Sequence, residues 1–112
     1  MTNQEIEKIK QDLNYDEEEI SEWAYNHCYN GDDTIQIRRL ITNSRWAFHY
    51  CRELKNIPLM RERITEPEDC YFYCKEVANI KEVWEKIDDP YWADRYCNDI
   101  EDNPEVRRFI NK

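Results

Sequence analysis

The chain repeats a pattern of residue types with a period of about 23 residues, and this repeat constrains its fold more than any other feature. Cysteine occupies the same place in four successive copies, at Cys28, Cys51, Cys74 and Cys97. Isoleucine ends each of the four copies, at Ile41, Ile64, Ile87 and Ile110. Tryptophan followed by alanine occurs early in three of them, at Trp23, Trp46 and Trp92. Self-similarity at a fixed period in the twenties is typical of repeat proteins whose units stack on one another.

Each copy predicts a long helix followed by a short one. In the second copy five apolar residues share one helical face: Trp46, Ala47, Tyr50, Cys51 and Leu54. Pro58 then begins a short partner helix, because proline is favoured in a first helical turn, where its missing N–H needs no acceptor. We expect long helices of about 10–12 residues, short ones of about 6–8 and links of about 2–4. A single glycine, Gly31, argues against tight β-turns and strands.

Capping residues mark the ends of the first long helix. Asp16 with Glu19 three positions on is a close variant of the capping box, in which each residue binds the backbone N–H of the other. Gly31 is expected to end the helix in the left-handed conformation. Ahead of it, residues 4–13 predict an amphipathic helix whose apolar stripe is Ile6, Ile9 and Leu13.

These patterns predict an all-α fold, a right-handed α-helical solenoid of four two-helix units with an N-terminal capping helix. We expect one domain over residues 1–112, because the chain is too short for two. Its predicted parts are a cap at 1–18 and repeats at 19–41, 42–64, 65–87 and 88–110.

The charge is strongly acidic and unevenly spread. The net charge is −9, from 25 acidic and 16 basic residues. Residues 1–22 carry −6, whereas residues 42–64 carry +3. Binding to nucleic acid needs a basic face, so no direct nucleic-acid partner is expected. A protein partner with a basic surface is the natural complement.

Two acidic patches are the predicted partner-binding residues. The first is Glu17, Glu18, Glu19 and Glu22, joined by Asp32 and Asp33, and the second is Asp99, Glu101 and Asp102. Both could imitate the phosphate run of a nucleic acid and occupy a basic groove on another protein. The alternative is that they are solvated faces without a function.

Cysteine chemistry offers a second hypothesis. A disulfide ladder is not expected, because packed helices lie about 8–10 Å apart and a disulfide needs Cα atoms within about 4.4–6.8 Å. Cys70 takes the place of alanine four residues before Cys74, so both lie on one helical face. The alternative function is therefore a metal- or redox-responsive protein using Cys70 and Cys74, with His49 the only visible further ligand.

Catalytic motifs are missing from the sequence. One glycine cannot build a nucleophile elbow or a phosphate-binding loop. His27 and His49 lie at unrelated places in the repeat, and Asp88 with Asp89 stands at a helix start, where capping explains an acid pair. We therefore expect a non-enzymatic protein without cofactor or bound metal.

More aromatic residues occur on the long helices than one apolar stripe can bury: Tyr25, Phe48, Tyr71, Phe72 and Tyr91. Some are expected at the surface, where aromatic residues favour protein recognition. The alternative places them between stacked units or on the second side of a narrow helical layer.

The fourth copy begins its long helix with Asp-Pro-Tyr-Trp-Ala at residues 89–93 and its short helix with Asn-Pro-Glu-Val-Arg-Arg-Phe-Ile at residues 103–110. This layout resembles short-period α-helical repeats of the leucine-rich-variant kind over roughly residues 19–110. The leucine pattern of that family is absent, with tryptophan, tyrosine and cysteine in its place. The resemblance implies the fold and no activity.

Small size, acidity and the lack of catalytic groups also resemble phage-encoded inhibitors of host defence, including anti-CRISPR and DNA-mimic proteins. This resemblance implies a protein that binds, and blocks or modulates, a basic surface, one that itself binds nucleic acid for example. We expect a cytoplasmic protein, because the sequence shows neither a signal pattern nor an apolar run long enough to span a membrane. It is expected to be a monomer, or a homodimer through a terminal repeat with Val106 and Phe109.

Overall fold

The computed structural model describes residues 14–110 together with Gln4, Glu5, Glu7, Lys8 and Gln11. The described part of the chain is all-helical and contains no strand, which confirms the all-α part of the predicted fold class. Long helices alternate with short ones from Glu17 to Arg107. They are α1 Glu17–Tyr29, α2 Ile35–Arg38, α3 Ser44–Glu53, α4 Pro58–Arg63, α5 Pro67–Glu76, α6 Lys81–Trp84, α7 Pro90–Asp99 and α8 Pro104–Arg107.

The helix starts recur at even spacing. The short helices begin one repeat period apart, at Ile35, Pro58, Lys81 and Pro104. The last three long helices do the same, at Ser44, Pro67 and Pro90. These three have the predicted length, 10 residues each. Three short helices have 4 residues, fewer than predicted, whereas α4 has 6 and is within the predicted range.

Tight turns explain why the short helices end early. In the first copy, Leu40 donates its N–H to Ile37 at 3.0 Å and Ile41 donates to Arg38 at 3.0 Å. Bonds to the third residue back tighten the chain and end the α-helical pattern. Leu40 and Ile41 lie in this turn after α2, and both side chains are buried.

The ends of α1 are as predicted. The Asp16 carboxylate accepts the Glu19 N–H at 2.8 Å, and the Glu19 side chain accepts the Asp16 N–H at 3.5 Å, which completes the capping box. Gly31 follows the C-cap residue Asn30 and has φ +110°, the positive value that glycine adopts without a steric penalty. The predicted capping helix depends on Ile6, Ile9 and Leu13, which lie outside the described residues.

Equivalent positions of the repeat form the core. The alanine position of the four copies is fully buried, at Ala24, Ala47, Cys70 and Ala93. Three tyrosines and three isoleucines are buried in the same way: Tyr50, Tyr73, Tyr96, Ile41, Ile64 and Ile87. Trp23, Trp46 and Trp92 are only partly buried and pack against the edge of this core.

Buried tyrosines connect each long helix to the loop before the preceding short helix. The Tyr50 hydroxyl donates to the carboxylate of Asp33, with both oxygens at 2.9 Å. Tyr73 and Tyr96 make the same bond, to Asn56 at 2.6 Å and Asn79 at 2.7 Å respectively. Each bond spans 17 residues and gives a buried hydroxyl the partner that it needs.

Serine side chains also connect neighbouring copies. The Ser21 hydroxyl accepts the N–H groups of Thr42 and Asn43 at 3.1 and 3.0 Å. Ser44, at the equivalent place in the next copy, accepts those of Thr65 and Glu66 at 3.0 and 3.1 Å. The N–H groups ahead of α3 and α5 are therefore satisfied by the preceding long helix.

Basic side chains bind the carbonyl ends of the short helices. Arg63 donates to the carbonyl oxygens of Arg38, Arg39 and Ile41, at 3.2, 3.1 and 2.9 Å. Lys86 donates to those of Arg61 and Ile64, both at 2.9 Å. A cation at a helix C-terminus compensates the negative end of the dipole. Arg63, one of the basic residues of the positively charged segment 42–64, therefore stabilises contacts within the chain.

The protein is elongated, with principal extents of 48 × 24 × 16 Å. Its radius of gyration is 15.9 Å, against about 13 Å expected for a compact domain of this length. None of the helices between Glu17 and Arg107 has the length and apolar character that crossing a membrane requires.

Candidate functional site

A concave surface lies at the N-terminal ends of the long helices. This open groove has a volume of about 520 Å³. We call it the acidic groove, and its lining is Glu17, Thr42, Asn43, Ser44, Arg45, Thr65, Glu66, Pro67, Glu68, Asp69, Asp89 and Trp92. The residues come from the start of α1 and from the first turns, or the loops just ahead, of α3, α5 and α7. The groove therefore runs along the N-terminal ends of four long helices.

Carboxylates dominate the charge of the acidic groove. Five of the described residues that line it are acids and one is a base, Arg45. Arg45 Nε lies 2.5 Å from Asp69 Oδ1, and its NH2 lies 3.1 Å from Glu68 Oε1. The hydrogen bond to Asp69 is the main reason that the pKa of Arg45 is raised. One cation against five acids leaves a negative surface, which the N-terminal ends of the helix dipoles stabilise.

The carboxylates that line the acidic groove differ in their burial and in the hydrogen bonds that they already make. Asp69 stands where other copies have tryptophan, and it is 3% exposed. Asp89 caps α7, accepting the N–H groups of Tyr91 and Trp92 at 3.0 and 3.2 Å. Glu17 and Glu66 are exposed, and Glu66 makes no side-chain cap to α5. Glu17 and Glu66 are therefore the groove acids best placed to meet a positively charged ligand.

Of these groove acids, only Glu17 is among the partner-binding residues predicted from the sequence. Glu66, Glu68, Asp69 and Asp89 were missed. A signal was present, since Asn43, Glu66 and Asp89 lie one repeat period apart and each precedes a long helix. Equivalent positions of stacked helices become neighbours, so acids at such positions converge.

The other predicted residues of the first acidic patch lie along α1. Glu18, Glu19 and Glu22 are exposed there. Glu19 and Glu22 line a second open cavity of about 270 Å³ together with Tyr15, Trp23 and Asn26. Glu19 also completes the capping box, so its side chain already accepts a hydrogen bond at the start of α1.

Asp33 is placed inside the structure and not on a free surface. Its side chain is 16% exposed, Arg38 Nε lies 2.6 Å from Oδ1, and Lys55 Nζ lies 3.7 Å from Oδ2. Burial opposes ionisation, but the hydrogen bonds from Arg38 and Tyr50 outweigh it and lower the pKa of Asp33. Asp32 is exposed and lies 3.4 Å from the Nδ1 atom of His27. The two neighbours in sequence therefore have different surroundings.

Internal contacts occupy the second predicted patch as well. Asp99 accepts the Tyr71 hydroxyl at 2.6 Å and Arg95 Nε at 3.2 Å. These two hydrogen bonds lower the pKa of Asp99. Glu101 accepts the Asn79 amide at 2.9 Å, and Asp102 forms an ion pair with Arg107. The structure does not bring this patch into the acidic groove.

Cysteine side chains lie mostly inside the core. The five thiols, all in the described part of the chain, are free. Cys70 is 0% and Cys74 4% exposed, and burial raises the pKa of each to about 12. A thiol that stays protonated is a poor metal ligand and a poor nucleophile. Among the described residues no three His, Cys, Asp or Glu side chains form a group that could hold a metal.

Most of the additional aromatic residues pack between neighbouring long helices. Phe48 and Tyr71 are buried, and Tyr25 and Phe72 are partly buried. Tyr25 of α1 lies 5.3 Å from Trp46 of α3, and Tyr71 of α5 lies 5.3 Å from Trp92 of α7, between ring centroids. Tyr91 is 58% exposed and so remains at the surface.

The predicted terminal contact needs a correction at one residue. Val106 is 1% exposed and belongs to the core, so it cannot pair with a second copy. Phe109 is partly buried, with the Arg108 guanidinium 4.8 Å from its ring centroid.

Comparison with protein-family models, with curated proteins and with solved structures found no match to this chain. The function is therefore inferred from the chain's own geometry and charge.

Proposed function

We propose that this protein is a non-enzymatic binding module whose acidic groove accepts a basic segment of another protein and so blocks or modulates it. The observation that carries this proposal is the excess of five carboxylates over one guanidinium in a groove of about 520 Å³. Its partner carries lysine or arginine side chains, because only cations compensate such a surface.

The make-up of the groove suits a peptide or protein better than an isolated ion. Glu17 and Glu66 are exposed carboxylates, and Trp92 is a partly buried aromatic residue of the same lining. Carboxylates pair with a guanidinium or an ammonium group, and an indole face attracts the same cations. Threonine and asparagine side chains of the lining provide further hydrogen-bonding groups.

By analogy with phage-encoded inhibitors of host defence, including anti-CRISPR proteins, we propose that the blocked surface is one that binds nucleic acid. The net charge of −9 supports this, because such a surface is basic and would be attracted to an acidic chain. A cytoplasmic location fits the same proposal.

The proposed architecture is a right-handed solenoid of four two-helix units, similar in layout to leucine-rich-variant repeats. Helix starts that recur at the repeat period support it. So do the equivalent hydrogen bonds that Tyr50, Tyr73 and Tyr96 make across the copies. Stacking in this form would align the helix ends that line the acidic groove.

The proposal is tested with a fluorescent arginine-rich peptide and two matched charge-reversal variants. Glu17→Lys with Glu66→Lys changes the groove, whereas Glu62→Lys with Glu85→Lys changes exposed acids outside it by the same charge. We expect the groove variant to bind about tenfold more weakly than the wild type, from about 0.5–1 kcal/mol per reversed charge. The control should lose much less.

Raising the salt concentration should weaken binding to the wild type, because exposed charges are screened. Equal losses in the two double variants would mean that net charge, and not the groove, attracts the peptide. That outcome would remove the acidic groove from the proposal. A second experiment, affinity capture from the native host, would identify the natural partner.

A further inference from the structure

A histidine lies in the seam between the first two long helices. The His49 ring is partly buried, with the rings of Trp46 and Phe48 at 5.2 and 5.5 Å. Tyr25 approaches it from α1 at 6.3 Å, and Tyr25 also lies 5.3 Å from Trp46. His49 is thus part of the aromatic contact that holds the second half of α1 against α3.

The contact with Arg52 favours the neutral form of His49. Arg52 NH2 lies 3.0 Å from His49 Nδ1. A guanidinium can only donate, so Nδ1 must accept and carries no proton. The Arg52 guanidinium also lies 5.0 Å from the Phe48 ring centroid, and its Nε lies 2.7 Å from Glu53. Neutral His49 is therefore one of the groups that position Arg52.

The charged groups around His49 come from two helices. Arg45, Arg52 and Glu53 belong to α3 with His49 itself, and Asp69 belongs to α5. From α1 the facing group is the Tyr25 phenol. Burial, followed by the repulsion of Arg52 and Arg45, lowers the pKa of His49, and the two carboxylates oppose this without reversing it.

We propose that His49 is a pH-sensitive latch between α1 and α3. In its neutral form the imidazole accepts from Arg52 and packs against Tyr25 and Trp46. Protonation places an N–H on Nδ1, opposite the N–H of Arg52, so the two groups must separate. Arg52 then keeps Glu53 and, at 3.5 Å in α5, Glu76 as its partners.

The expected result of protonation is a loosened C-terminal half of α1. Ser21 continues to hold the other half, because its hydroxyl bonds to Thr42 and Asn43 do not involve His49. The segment that moves would be residues 24–30, and Gly31 follows it. A lowered folded-state pKa means that the unfolded or loosened chain binds the proton more readily, so the contact weakens as the pH falls below about 6.5.

The chain has two histidines, so NMR can follow both imidazoles on the full-length protein. We expect His49 to titrate below about 6.5, the ordinary value. Between pH 7 and 5, amide-exchange protection of residues 24–30 should fall more than that of α5. The protection of residues 24–30 should fall about tenfold for each pH unit by which the titration midpoint of His49 lies below about 6.5. His27→Gln, the matched control, should behave as the wild type does.

Two variants that cannot be protonated complete the test. His49→Gln keeps an oxygen that can accept from Arg52, and His49→Phe keeps an aromatic ring if the glutamine variant does not fold. In both, the protection of residues 24–30 relative to α5 should be independent of pH. A His49 midpoint at or above 6.5 would overturn the proposal. So would a pH-dependent loss of protection that persists in the variants.

Discussion

At the scale of single residues, one of the three residues that accept a buried tyrosine hydroxyl is a carboxylate and the other two are amides. Asp33, Asn56 and Asn79 occupy equivalent places in successive copies, and each accepts the hydroxyl of a buried tyrosine. The amides need no counter-ion, whereas Asp33 also binds Arg38 and Lys55. The charge of Asp33 therefore makes the junction between the first two copies dependent on pH.

Replacing Asp33 by asparagine should separate its charge from its hydrogen bond. The variant keeps an acceptor for Tyr50 but loses the ion pair with Arg38, at an expected cost of about 1 kcal/mol at pH 7. Because the folded-state pKa of Asp33 is lowered, this stabilisation is present above about pH 4 and is lost as the pH falls through the folded-state value. Urea unfolding of wild type and Asp33→Asn at pH 7 and pH 3 measures the difference.

The reciprocal substitution provides the control. Asn56→Asp places a carboxylate at the equivalent position, where Arg61 NH1 already lies 3.2 Å from the amide oxygen. The free energy of unfolding of Asn56→Asp should fall between pH 7 and pH 3 by more than that of the wild type, whereas that of Asp33→Asn should fall by less. A free-energy difference between wild type and Asp33→Asn that is the same at both pH values would contradict the assignment.

The surroundings of His49 and of the groove acids also depend on residues that are distant in sequence. Their chemistry depends on neighbours from other helices, such as Tyr25 for His49 and Arg45 for Asp69. In both cases the neighbour belongs to an adjacent copy of the repeat. A sequence shows the residue types but not which of them meet, so neither environment was predicted.

At the scale of the helix, start and stop signals were predicted well because they are local. Asp16 and Glu19 form the expected capping box, and Pro58 and Pro104 begin the expected short helices. Each signal acts through backbone groups within a few residues. The length of the short helices depends on how the chain turns back to the next long helix, and it was overestimated for the three that have 4 residues.

Gly31→Ala should destabilise the protein through its backbone alone. Gly31 has φ +110°, and an added Cβ would meet no atom within 4 Å, so no steric contact contributes. A residue with a Cβ in this region costs about 1–2 kcal/mol. Chemical denaturation monitored by circular dichroism should show that loss. Asn30→Ala, one residue earlier at φ −85°, is the control and should cost less than about 0.5 kcal/mol. Equal losses would show that the conformation of Gly31 is unimportant.

At the scale of the whole molecule, equivalent links recur between successive copies. Ser21 and Ser44 accept backbone N–H groups in the same way, and Arg63 and Lys86 bind equivalent carbonyl groups. A chain whose copies contact mainly their neighbours should tolerate the loss of one copy, because the new neighbours offer the same partners.

Deleting residues 42–64 tests the proposed stacking directly. Ser21 would then receive the N–H groups of Thr65 and Glu66, which Ser44 accepts in the full chain. We expect a helical protein that unfolds cooperatively and is less stable than the wild type, because stability in such arrays is approximately a sum over units and their interfaces. Circular dichroism during thermal unfolding measures both properties.

An out-of-register deletion is the control for this experiment. Removing residues 42–58 joins Ile41 to Leu59 and breaks the alignment of the serine and tyrosine links. That variant should lose most of its helix. If the two deletions behave alike, the copies do not act as interchangeable units and the solenoid proposal is wrong.

The sequence by itself determined the all-helical fold, the alternation of long and short helices, most helix ends and the buried positions of the repeat. Periodicity and capping act over a few residues, so they can be recognised along the chain. Only the tertiary structure decided which charges are engaged and which are available. It placed Asp33, Asp99 and Asp102 in internal contacts, and it aligned helix ends to form the acidic groove. Those outcomes depend on distances between side chains from different copies, which the order of residues does not specify.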